Sequence, residues 1–179
     1  MLKTFLNGLN YSPSLLRLYY NRIFHLVGMG LLGLFVPIFL FEKFNYSYYL
    51  VILFYIGVNL LPLLTVPIGA MIMNKISLKY SMIVGTVCVI IHIILYYCYE
   101  NYSWLGFLII LIIIFTGWRI LYWIPFHTDF VKFSTKRQRG QQSSVFKLLS
   151  DVLGIIVPIA AGLILYYYNY SVLFIISII

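Results

Sequence analysis

Acidic residues are almost missing from this chain: Glu42, Glu100, Asp129 and Asp151 are the four in 179 residues. They are scattered, so no carboxylate pair stands ready for acid–base chemistry, and no group of His, Cys, Asp and Glu has metal-ligand spacing. Nucleophile and base pairs are absent too, and the expectation is a protein that is not an enzyme and needs no cofactor or metal. Cysteine is nearly absent: Cys88 and Cys98 lie ten apart on different faces of one run, badly placed for a mutual disulfide, and read as free buried thiols. No G-x-x-x-x-G-K-[ST] phosphate loop occurs, which argues against a self-contained ATP-driven pump. Charge of either sign reaches 9%, against 63% apolar residues and a mean hydropathy of +1.01. That is too little polar surface to coat a water-soluble domain of this size.

What is present is apolar sequence in long pieces. Residues 23–41, 44–73, 80–99, 101–118 and 152–179 contain no Asp, Glu, Lys or Arg. A helical crossing of the hydrocarbon core needs roughly 20 apolar residues. Inside lipid the backbone must satisfy its own hydrogen bonds, and runs of this length without in/out alternation exclude barrel strands of about 10 residues. The expected fold is therefore an all-α membrane protein, a polytopic bundle of about six transmembrane helices in a single domain, residues 1–179.

The few charges set an orientation. With the N-terminus in the cytoplasm and one crossing per run, every Lys and Arg except Lys43 falls on the cytoplasmic side, a strong positive-inside pattern. The net charge of +8 is then a topology signal, and no nucleic-acid partner is expected. The first run is too long for a signal-peptide core and its preceding segment too mixed and aromatic. A multi-pass protein of the plasma membrane is the expected location, with the lipid bilayer as its first partner.

Spans are expected near 23–41, 47–73, 80–97, 103–123, 151–168 and 171–179, the last one incomplete. Ser12 followed by Pro13 offers an N-cap and a first helical residue ahead of span one. Pro62 and Pro67 should kink span two, and span four should end at Pro125. Residues 126–150, the longest polar stretch, carry five basic residues and read as a partly helical cytoplasmic connector. Asn-Tyr-Ser occurs at Asn10, Asn45, Asn101 and Asn169. Rather than glycosylation sites, the last three read as helix starts, with Ser47, Ser103 and Ser171 capping and Tyr46, Tyr102 and Tyr170 anchoring at headgroup level. Gly28, Gly30 and Gly33 spell G-x-G-x-x-G, but inside an apolar span they mark a helix-packing face and not a dinucleotide site.

Polar residues at membrane depth are costly and face protein or a water-filled path. Arg119 stands out in span four, either snorkelling to the interface or facing a cavity, where it would bind an anion or pair with Asp151 of span five. His25, Asn59 and His92 are the weaker candidates for the same path, the histidines being read first as satisfied buried groups.

Two segments resemble the major facilitator superfamily of transporters. Residues 70–79, A-M-I-M-N-K-I-S-L-K, look like a degraded copy of that family's G-x-L-A-D-R-x-G-R-K loop between helices two and three. Ala70 stands for the first Gly, Asn74 for Asp, Lys75 for Arg, Ser77 for the second Gly and Lys79 for the last basic residue. Residues 122–129, with His127 and Asp129, followed by Arg139 and Gly140, are similar to the family's helix 4 to 5 connector. Asn74 lacks the carboxylate of the family's cytoplasmic latch.

The resemblance implies an inverted 3+3 repeat, helices one, two, four and five lining a central path, and alternating access against a missing C-terminal half. The function it implies is membrane transport of an unknown small solute, with or without a coupling ion, by a chain that looks like the N-terminal half. The alternative is a non-catalytic multi-span subunit or assembly factor.

Overall fold

The computed structural model describes residues 12–178, apart from the side chain of Asn74. Asn10 and Lys3 lie outside the described residues. Among the described residues seven helices follow in chain order: α1 (Pro13–Gly33), α2 (Phe35–Lys43), α3 (Tyr48–Lys75), α4 (Leu78–Tyr102), α5 (Gly106–Phe133), α6 (Arg139–Tyr167) and α7 (Tyr170–Ser177). Five units are long and apolar enough to cross a membrane, α1 and α2 counting as one 31-residue span. The architecture is that of an all-α, multi-pass membrane bundle. One end carries Arg17, Lys75, Lys79 and the α5–α6 turn and is called here the basic end. The opposite end carries Lys43 and Glu100.

Local sequence accounts for most helix boundaries. Ser12 caps α1 as its sequence predicts: its Oγ accepts from the Leu15 N–H at 3.2 Å. The same hydroxyl donates to the Phe133 carbonyl at 3.3 Å, an orphan acceptor at the end of α5, and so ties the two helix ends together. Span one breaks at Leu34 because of Pro37. A proline has no N–H for the carbonyl four residues back, here that of Gly33, and its ring crowds that carbonyl. The α2–α3 turn closes with Asn45 in the left-handed region (φ 52°). Asn45 N–H donates to Glu42 O (3.2 Å) and Tyr46 N–H to Phe41 O (2.8 Å), the paired bonds of a Schellman ending.

The Asn-Tyr-Ser repeats therefore do not share one capping role. Ser47 occupies the N-cap of α3 without a side-chain cap bond. Ser103 ends α4 in a left-handed conformation (φ 47°). At the third copy Asn169, not Ser171, caps α7 by accepting from Val172 N–H at 3.2 Å. Ser171 instead donates to Glu100 Oε2 at 2.7 Å, while Lys43 Nζ donates to the Glu100 carbonyl at 2.7 Å. Glu100 thus joins α2, α4 and α7 at the end opposite the basic one. Tyr46 and Tyr102 are exposed, the position of an interfacial anchor. Tyr170 instead packs on Phe39 with ring centroids 5.1 Å apart.

Helix α5 runs on past Pro125 to Phe133, where its sequence predicts an end. Pro125 leaves the Leu121 carbonyl without its intrahelical donor. Ser81 Oγ on α4 supplies one at 3.0 Å, so the helix continues. The approach is close: a Cβ on Gly85 would lie 2.9 Å from the Tyr122 backbone nitrogen. Ser81 and Gly85, one turn apart, form the small-residue face that lets α4 and α5 meet.

Around this pair, α3 packs on α5, α6 and α7 on α1, and α7 on α4. Of the expected glycine face, Gly28 and Gly30 carry the packing: added Cβ atoms would fall 2.8 Å from Ser177 O and 3.1 Å from Val157 Cγ1. Gly33 faces open space. Large apolar side chains such as Leu63, Ile109 and Ile155 stand exposed around the bundle, a surface suited to acyl chains and not to water.

Candidate functional site

Two cavities meet in the half of the bundle nearer the basic end. The larger, about 630 Å³, lies between α3 and α5 and is lined by Asn59, Arg119, Trp118, Trp123 and His127 among apolar neighbours. The smaller, about 240 Å³, lies between α1, α5 and α6 and includes Arg22, His25, Trp118, Trp123 and Ser150. Trp118 and Trp123 form the shared wall. A third space of about 170 Å³ reaches Tyr55, His92 and Tyr96 on α3 and α4, sharing Phe115 with the first and Met29 with the second.

Arg119 lies near the middle of α5, because that helix extends beyond its expected end. Its Nη1 donates to Asn59 Oδ1 at 3.1 Å, and Asn59 Nδ2 in turn donates to the Tyr55 carbonyl at 2.8 Å. The guanidinium carbon sits 5.9 Å from the Phe115 ring centre. Two of the expected path residues are thus joined directly. Asn59 is exposed on the flank of the bundle, so this polar pair faces outward through the mouth of the larger cavity.

Asp151 does not belong to this group. It is exposed and paired with Lys147 at 2.6 Å one helical turn away, which removes the expected pairing with Arg119. The physical reason is proximity along α6: an i,i+4 Lys is always within reach, whereas Arg119 already has an acceptor in Asn59. Asp129 is half-buried and lines none of these cavities. His127 is exposed at the rim of the larger one and stacks on Trp123 at 5.4 Å.

His25 stacks on Tyr122 at 4.5 Å between the rings and tilts against Trp118 at 5.2 Å. Its Nε2 has no hydrogen-bond partner. His92 is buried against Tyr96 and Phe115, and its Nδ1 is also without a partner.

The motif-like residues of the α3–α4 turn lie apart from the cavities. Ala70, Lys75, Ser77 and Lys79 are exposed, and the side chain of Asn74 lies outside the described residues. Arg139 has a structural partner set: its Nε donates to Ser134 Oγ at 2.8 Å and its Nη2 to the Val131 carbonyl at 2.9 Å. It satisfies an orphan carbonyl at the end of α5, a usual place for a basic residue. Gly140 meets no close neighbour.

Arg22 is the residue that reading the sequence as topology passed over. Placed among the cytoplasmic charges, it is instead buried, 7% exposed, with its guanidinium 4.1 Å above the Trp123 ring centre and 5.8 Å from Phe126. A signal for this was present. Leu15, Leu18, Tyr19 and Arg22 follow i, i+3, i+4, i+7 and all lie on the buried face of α1, so helical period alone carries Arg22 inward. Gln142 was also missed. It is fully buried, accepting from Thr135 N–H through Oε1 at 3.1 Å and from the Tyr19 hydroxyl through its carbonyl at 2.8 Å.

Fold and site together define a class: a multi-span helical membrane protein with arginine-bearing, aromatic-walled cavities inside the bundle. No family model, no curated protein and no solved structure matches the chain.

Proposed function

We propose that this chain moves a small solute across the membrane by alternating access, as the first six-helix unit of a transporter of the major facilitator kind. The observation that carries the reading is the cavity pair. It is lined by spans one, two, four and five, those that the loop resemblance assigns to a transport path. Helix packing supports the inverted repeat. Exchanging spans one, two and three for four, five and six turns the one–five contact into four–two and the three–four contact into six–one, and all of these occur.

The Asn59–Arg119 pair supports a second unit. Turned toward acyl chains, an arginine at a helix centre costs about 2.5–3.5 kcal/mol on insertion scales. A facing bundle with a water-filled path between the two removes that cost. On this reading the N-terminus is cytoplasmic, the membrane is the plasma membrane, and Lys75, Lys79 and Arg137 face the partner unit or anionic lipid. A docking subunit without transport would also cover the flank.

Solute uptake by cells producing the protein, compared with its Arg119→Ala variant at equal membrane abundance, separates the two. The transport reading expects the variant to lose uptake of the solutes that the wild type accumulates. Equal uptake profiles would remove it and leave Arg119 as a docking or snorkelling residue.

A further inference from the structure

We infer that the adjoining cavities bind a small organic anion, with Arg22 holding the anionic group and the tryptophan walls holding the apolar body. The inference rests on the transport reading only for its meaning as a substrate site.

Arg22 is a buried cation without a counter-ion. The ion pair among the described residues is Lys147–Asp151, and no acidic residue lines either cavity. Trp123 covers the flat face of the guanidinium but satisfies none of its in-plane donors, and Nε has no hydrogen-bond partner. The guanidinium also bonds the Tyr122 side chain, a neutral phenol that leaves its charge unbalanced, and a guanidinium stacked on one face with Nε unmet keeps donors for a planar oxyanion. Two more orphan groups border the same space, His25 Nε2 and Trp118 Nε1. A buried charge with unmet donors is expensive, and an anionic oxygen group in this space would offer them an acceptor.

Charge and shape narrow the class. Arg119 adds a second positive charge across the tryptophan wall, so the pair of cavities favours anions over cations and neutral solutes. Beyond Arg119, Asn59 and His127 the surface of the larger cavity is Phe115, Trp118, Trp123, Pro62 and aliphatic side chains, which favours an anion with an apolar body over an inorganic one. The larger cavity, about 630 Å³, falls within the usual range for small-molecule sites.

The test uses the full chain purified in detergent, with benzoate as probe and benzamide, benzylamine and inorganic phosphate as comparisons. Benzoate is expected to quench tryptophan fluorescence saturably and raise the melting temperature, the other three not at matched concentration. Arg22→Gln should weaken benzoate binding by roughly tenfold or more, as expected for loss of a charge-assisted contact. Lys147→Gln should bind as wild type. A second measurement does not depend on altering Arg22: with Cys88 and Cys98 changed to serine, benzoate should slow maleimide labelling of a Ser150→Cys variant, and benzamide should not.

Equal binding of benzoate and benzamide, wild-type affinity in Arg22→Gln, absence of protection, or binding of phosphate alone would each overturn the inference. Arg22-dependent benzoate binding without flux in proteoliposomes keeps the site and removes transport. Flux of a neutral solute without benzoate binding does the reverse.

Discussion

Ser81 and Pro125 sit on different helices and meet at the Leu121 carbonyl, which Pro125 leaves without a donor and the Ser81 hydroxyl supplies with one. Removing the donor should expose the debt. Ser81→Ala is expected to lower stability by about 1 kcal/mol, the usual worth of one hydrogen bond, read as a drop in melting temperature in detergent. In a Pro125→Ala background the backbone N–H of residue 125 returns, and the same Ser81→Ala change should cost close to nothing. Equal losses in both backgrounds would show that Ser81 acts through packing alone. At this scale the sequence was a partial guide. It flagged Arg119, Asn59 and His25 as costly polar residues in apolar runs, and they line the cavities. It passed over the burial of Arg22, because a cation beside the start of an apolar run reads as a topology marker until its face of the helix is considered.

Helix boundaries were legible where a local signal sets them and misjudged where a distant residue does. Ser12 and Pro13 start α1 as expected, since a cap and a first-turn proline act within one turn. The end of α5 was placed eight residues early because its continuation depends on Ser81. The connector after it is short, Ser134 to Gln138 lying between α5 and α6, and Arg139 holds it by bonding Ser134 Oγ and Val131 O. Arg139→Ala should therefore fray the last turn of α5. Hydrogen exchange is expected to speed up over residues 131–138 while the α4–α5 crossing near Gly85 stays protected. Unchanged exchange would mean that the Gln142 contacts suffice without Arg139.

For the molecule as a whole, the test is which ends share a side of the membrane. With Cys88 and Cys98 changed to serine, cysteines at Lys75 and Lys136 should react with a membrane-impermeant maleimide from one side, and a cysteine at Tyr102 from the other. Lys75 and Lys136 reacting from opposite sides would break the bundle's up-and-down arrangement and the proposed path with it. Glu100 gives that arrangement a clasp at the end away from the basic turns, holding Lys43 and Ser171 through its carbonyl and carboxylate.

The amino-acid order alone determined that the chain is a series of membrane-length helices with most of its cations toward one end. Hydropathy, length and charge add up along the chain and need no knowledge of which helix lies beside which. Tertiary packing alone decided the partners: Arg119 with Asn59 sixty positions away, Asp151 with Lys147 instead of Arg119, and Arg22 beneath Trp123 with no carboxylate beside it. Each helical residue turns the side chain by about 100°, so a polar group's exposure to lipid, protein or cavity depends on the rotation and depth of every neighbouring helix.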